Sequence, residues 1–184
     1  MTVEEKNVFI KIFCIIGAII ALIIVVCVIG FNYEDNSYAK ENKKKFDEIE
    51  YIVPSEMEKE DDDFDPYYHY YNDSCSCSLY FSAFEKEYYD SKEDIIKNFV
   101  SYRLGDEVSE IEEVEYNGEK MLYTSVKESD NTQTNYYYVV ESKNYYYKIT
   151  FDLYDYSKGD REDIDTNFCY NYREKVLSSV STKH

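Results

Sequence analysis

Three cysteines, Cys75, Cys77 and Cys169, are the residues of this chain whose type and spacing come nearest to chemistry. Cys75 and Cys77 alternate with polar residues in step with Leu79, Phe81 and Ala83, so both thiols point to one face of a half-buried strand. Cys169 falls on the apolar stripe of a helix much later in the chain. A disulfide from Cys77, or from Cys75, to Cys169 would tie that strand to that helix. It would close a loop of about 90 residues and stabilise the fold by about 2–4 kcal/mol in the chain-entropy model. Three reduced thiols packed as small hydrophobes are the plainer alternative. A redox-active Cys75-x-Cys77 pair, or a metal site adding His69 and Asp73, is the third, and neither has the spacing of a strong motif.

Other constellations lack parts. His69 lies in Tyr67-Tyr68-His69-Tyr70-Tyr71, where a strand-edge or surface histidine is expected rather than a hydrolytic triad. Asp61-x-Asp63-x-Asp65 imitates a calcium loop, but Pro66 stands where the EF-hand needs glycine and Asn72 where it needs glutamate. Five glycines in the whole chain leave no room for a phosphate-cradling loop. Carboxylates are too abundant to single out an acid/base pair. No catalytic residue, cofactor or metal ligand is assigned, and the chain reads as a non-enzyme. The 23 tyrosines offer a different chemistry. Those of Tyr136–Tyr138 and Tyr145–Tyr147 sit on neighbouring strands. Either they replace the absent tryptophan as ordinary strand formers, or Tyr136, Tyr138, Tyr146 and Tyr154 form an aromatic surface for glycan, peptidoglycan or protein.

The elements that must position these residues begin with an apolar run, residues 12–31, IFCIIGAIIALIIVVCVIGF. Its length matches the roughly 20 residues a helix needs to cross a bilayer, and it lacks the small-x-small exit of a cleaved signal. It is read as a single-pass signal anchor embedded in the lipid bilayer after a tail at 1–11, with Cys14 and Cys27 as filler. Lysines at 40 and 43–45 favour a cytoplasmic downstream domain, whereas Lys11 and the short tail favour the opposite side. The extracytoplasmic orientation is preferred. The net charge of -18 repels nucleic acid, which excludes that partner. Residues 32–66, with their lysine cluster, acidic run and two prolines, read as a charged stalk.

A globular domain follows over 67–184. Ser91 caps a helix over about 92–104, on which Ile95, Ile96, Phe99, Val100 and Leu104 recur and which Gly105 ends. Asn117-Gly118 makes a type I′ hairpin that sets Val114 opposite Met121 and Glu115 opposite Lys120. Strands over 135–141 and 145–154 precede a second helix over about 161–181, carrying Ile164, Phe168, Cys169, Tyr172, Val176, Leu177 and Val180. The expected architecture is α+β: one N-terminal transmembrane helix, then a domain with an antiparallel sheet and two covering helices.

The succession SKEDIIKNFVSYRL, VSEIEEVEYNGEKMLYTSVKE, YYYVVESKNYYYKITFDLY and REKVLSSVS resembles the PsbP-like α/β/α sandwich domain over about residues 75–181. That family includes photosystem extrinsic subunits and membrane-anchored bacterial surface proteins. The usual proline-tryptophan segment is missing. The resemblance implies a binding or accessory module with no shared catalytic set, so no residue role follows from it. The expected function is an extracytoplasmic, membrane-anchored accessory domain acting on a protein or cell-wall partner. The alternatives are a thiol-redox or metal-capturing protein using Cys75 and Cys77, and a cytoplasm-facing tethered regulator.

Overall fold

The computed structural model describes Ile20 and residues 42–60, 65–71, 75–129, 132–155 and 167–182. The chain divides into two compact units, Met1–Glu41 and Asn42–His184. The second unit is built from strands β1 (Lys43–Phe46), β2 (Ile49–Ile52), β3 (Glu58–Glu60), β4 (Tyr67–Tyr71) and β5 (Cys75–Glu85), followed by helix α1 (Lys92–Phe99). Then come β6 (Glu107–Val108), β7 (Glu112–Tyr116), β8 (Glu119–Lys127), β9 (Gln133–Glu141), β10 (Tyr145–Asp155), helix α2 (Asn167–Leu177) and β11 (Ser181–Thr182).

Eight strands form one antiparallel sheet in the order β3-β4-β5-β10-β9-β8, with β6 and β7 both pairing along β8. A smaller sheet has the order β1-β2-β11. Strands β5, β10 and β9 make the centre of the larger sheet because each supplies a long alternating run. Leu79, Phe81, Tyr147, Ile149, Phe151, Tyr138 and Val140 point to one face and are buried there. Against that face pack Ile49, Tyr51 and Val53 of the small sheet and Tyr172, Val176 and Leu177 of α2. Full burial of each such side chain stabilises by roughly 1.5–3 kcal/mol, so this face is the main core. On the other face α1 sets Ile95 and Ile96 onto Leu122, Val139 and Tyr146, a second and smaller cluster.

Local signals explain several elements. Ser91 accepts a hydrogen bond from Asp94 N at 3.2 Å, closing the first turn of α1. Asn117 and Gly118 take φ of 51° and 84°, and the hairpin they make pairs Val114 with Met121 and Glu115 with Lys120. Lys120 binds Glu113 instead of its direct opposite, at 3.0 Å.

The expected architecture needs correction. Over the described residues the protein is sheet-rich and not the expected α+β domain of one sheet under two covering helices. Its described helices are two short ones, and among the described residues no helix is long and apolar enough to cross a membrane. The span expected at 12–31 lies, except for Ile20, outside the described residues. Residues 43–60, expected as stalk, instead form three strands. The reason is the alternation Ile49-x-Tyr51-x-Val53, whose side chains are at most 3% exposed despite the charged flanks. Helix α1 is shorter than the apolar spacing suggests. Val100 turns extended and closes it through Val100 N to Ile96 O, while Lys148 Nζ donates to the Phe99 carbonyl at 3.1 Å. Leu104 is left exposed, and Gly105, at φ 102°, serves a separate turn. Of the second expected helix, residues 161–166 lie outside the described residues.

Candidate functional site

The pleat brings the cysteines together. Cys75 and Cys77 share the core face of β5, and α2 lays Cys169 over them. Cys77 and Cys169 form a disulfide with Cα atoms 6.0 Å apart. Cys75 Sγ sits 3.2 Å from Cys169 Sγ. All three residues are 0% exposed, which denies bulk thiols or metal ions access to them in the folded state. Asp73, the other residue of the conceived metal site, lies outside the described residues. His69 Nδ1 is 3.6 Å from Glu60 Oε1, and the ring stacks on Tyr67. No group of three metal-ligating side chains occurs among the described residues.

The four candidate tyrosines do not share a surface. In the register Ile149 opposes Tyr138, so even-numbered residues of β9 and odd-numbered residues of β10 lie on one face. Tyr136 and Tyr138 therefore face α2, and Tyr146 and Tyr154 face the other way. Tyr136 receives the Arg173 guanidinium 4.5 Å from its ring centre, and Tyr138 is buried. Tyr146 lies under α1 with its hydroxyl donating to Asp90 O at 3.3 Å. Only Tyr154 of the four is exposed.

Sequence reasoning missed a cleft of about 560 Å³ lined by β1, β2 and the β3–β4 region. This size falls within the range of ligand pockets. Phe46, Val53, Pro54, Met57 and Pro66 give it apolar walls, and Tyr51 and Tyr68 meet in it with their hydroxyls 3.3 Å apart. Tyr51 is held in place by stacking on Phe81, ring centres 3.9 Å apart. Lys44, Lys45 and Lys59 also line the cleft, with Asp65 as the sole carboxylate among the described residues of its lining. Burial pushes both tyrosine hydroxyls upward in pKa, so they stay protonated and able to donate at neutral pH. The strand alternation at Ile49-x-Tyr51-x-Val53 was the signal that could have revealed this wall.

A clamp fixes the small sheet beside the large one. In the β1–β2 turn, the Glu48 carboxylate accepts hydrogen bonds from Asn144 N at 2.9 Å and Ser142 Oγ at 2.7 Å. These donors hold its pKa below the usual carboxylate value. Glu48 N donates to Tyr147 Oη at 2.9 Å, and Ile52 N donates to Ser179 Oγ at 2.8 Å. Thr182 N donates to Glu119 Oε1 at 2.9 Å, which anchors β11.

The opposite face of β10 carries Lys148, Thr150 and Asp152 at alternate positions, with Ser78 and Asn135 directly flanking Asp152 on β5 and β9. Desolvation raises the Asp152 pKa to about 6 against the pull of Lys148, and it lowers that of Lys148.

No protein-family model matches the chain, and no curated protein does. Among solved structures it is similar to a crystal structure from Bacteroides thetaiotaomicron VPI-5482, with 12% identity and a TM-score of 0.45. The match covers 74% of this chain and 45% of that one, so the chain spans less than half of that neighbour's length.

Proposed function

We propose that the Asn42–His184 unit is a binding or accessory module that works outside the cytoplasm on a protein or cell-wall partner and catalyses no reaction. The cleft carries the proposal. It joins apolar walls to lysines and tyrosine hydroxyls, and among the described residues its lining has one carboxylate, Asp65, a set suited to recognition. The Cys77–Cys169 bridge supports the compartment, because structural disulfides persist where thiols are oxidised. Acid-quenching of intact cells, followed by alkylation under denaturing conditions and mass mapping, tests this. One alkylated thiol among Cys75, Cys77 and Cys169 is expected; three would overturn the placement.

The second reading, a thiol-exchange protein, draws on Cys75 Sγ lying 3.2 Å from Cys169 Sγ. Complete burial of the trio opposes it, since exchange with a partner needs an accessible thiolate. Native-state alkylation separates the two. A binding module keeps Cys75 unmodified until denaturant is added, whereas rapid labelling of Cys75 in the native protein favours exchange.

A further inference from the structure

The two tyrosines at the cleft each have a lysine opposite them in the strand register. Lys44 on β1 is the direct partner of Tyr51 on β2, and Lys59 on β3 is the direct partner of Tyr68 on β4. Residues directly opposed in antiparallel strands share a face, with Cβ atoms about 4.5–5.5 Å apart. Lys44 and Lys59 therefore share strand faces with the two tyrosines whose hydroxyls meet 3.3 Å apart, and both lysines line the same cleft. Both lysines are exposed, and neither forms an ion pair with a carboxylate among the described residues. Lys43, Lys86, Lys120 and Lys127 all do. In a chain of net charge -18, the described lining of this cleft carries three lysines, Lys44, Lys45 and Lys59, against one carboxylate, Asp65.

We infer that this cleft captures an anionic group, a carboxylate or a phosphate ester, carried on a body with apolar surface. The ammonium groups supply charge, the mutually bonded Tyr51–Tyr68 pair supplies one neutral hydroxyl donor, and Phe46, Val53 and Met57 cover the apolar part. The self-repulsion of an acidic protein toward anions is overcome only where the charge is concave and paired with donors. This assignment rests on the binding-module reading and names the ligand chemistry of the same cleft.

Calorimetric titration of the full chain at low salt with octanoate, octyl phosphate and the neutral octyl glucoside tests it. Saturable one-site binding of at least one anion is expected, with octyl glucoside about tenfold weaker or worse. The tighter of the two anions identifies the source as carboxylate or phosphate. Lys44→Gln and Lys59→Gln should each weaken that anion about tenfold, and Lys44→Arg should restore most of the affinity, all at unchanged thermal midpoint. Equal binding of octyl glucoside, or full affinity in the double glutamine variant, would overturn the assignment while leaving the cleft as a binding site. Absence of saturable binding by either anion would overturn it too. The compartment reading stands apart, because it is decided by cysteine mapping.

Discussion

The two faces of the eight-stranded sheet are made from the same strands yet behave as different materials. On one face of β10, Tyr147, Ile149, Phe151 and Leu153 are closed over by the small sheet, α2 and the Cys77–Cys169 bridge. One residue along, on the other face, stand Lys148, Thr150 and Asp152, where the eight-residue helix α1 packs beside them. A pleat with a period of two residues can thus place a dry core and a lane of ionisable groups back to back. The closed face draws most of its stability from area and covalent linkage, which are insensitive to pH, and the Glu48 clamp at its edge is the exception. On the open face burial has displaced the protonation equilibria of Lys148 and Asp152, so its stability depends on pH.

Substitutions can break or sharpen this contrast. The largest effect belongs to Phe151→Ala, expected to lose about 3–5 kcal/mol in urea unfolding. Its neighbour Thr150→Ala, on the open face, should lose no more than about 1.5 kcal/mol. Comparable losses would dissolve the distinction. Next comes Cys169→Ala, which removes the bridge across a separation of 92 residues and should lose about 2–5 kcal/mol. Reductant during unfolding should bring the wild type down to the variant and leave the variant unmoved.

The third effect is a slope rather than a level. The native Asp152 value of about 6 exceeds the ~3.9 of an unfolded aspartate. Between those values the native state holds more protons, so stability declines as pH rises through the window. Asp152→Asn should flatten that decline and raise stability at pH 7 by about 1 kcal/mol, with little change near pH 4. Glu48 slopes the other way. Its lowered pKa stabilises the native state above the unfolded carboxylate value, and that contribution is lost as pH falls through the folded value. Denaturation curves of Glu48→Gln and wild type should therefore converge on acidification. The smallest effect is Ser91→Ala, about 1 kcal/mol from the lost cap of α1, read as faster amide exchange confined to residues 92–99.

Much of the central sheet is legible in the residues themselves. Asn117-Gly118 dictates its hairpin, and the runs ending at Glu141 and Asp155 announce β9 and β10 with boundaries one or two residues wide of expectation. The start of α1 follows from Ser91, but its end does not. The spacing of Phe99, Val100 and Leu104 continues a helical stripe, but the Lys148 side chain, brought in by β10, takes the Phe99 carbonyl and Asp106 Oδ2 takes the Arg103 N–H that would have met it. The tyrosine quartet fails as a surface because composition counts rings and not parity. A one-residue choice of register decides which pair faces α2. The cleft was hidden for a related reason. Its lysines look like part of a charged stretch until β1 pairs with β2 and β3 with β4, and the Lys44–Tyr51 and Lys59–Tyr68 pairings then become visible.

The small sheet has a consequence for how the protein is made. Its β2 strand pairs on one side with β1, a neighbour in sequence, and on the other with Ser181–Thr182 of β11. During synthesis β1 and β2 therefore emerge early and wait, with Ile49 and Tyr51 uncovered, while every strand of the larger sheet is translated. The small sheet gains its third strand only once Ser181–Thr182 has been translated. A chain cut before Ser181 would keep every described residue that lines the cleft and leave one edge of β2 unpaired behind it.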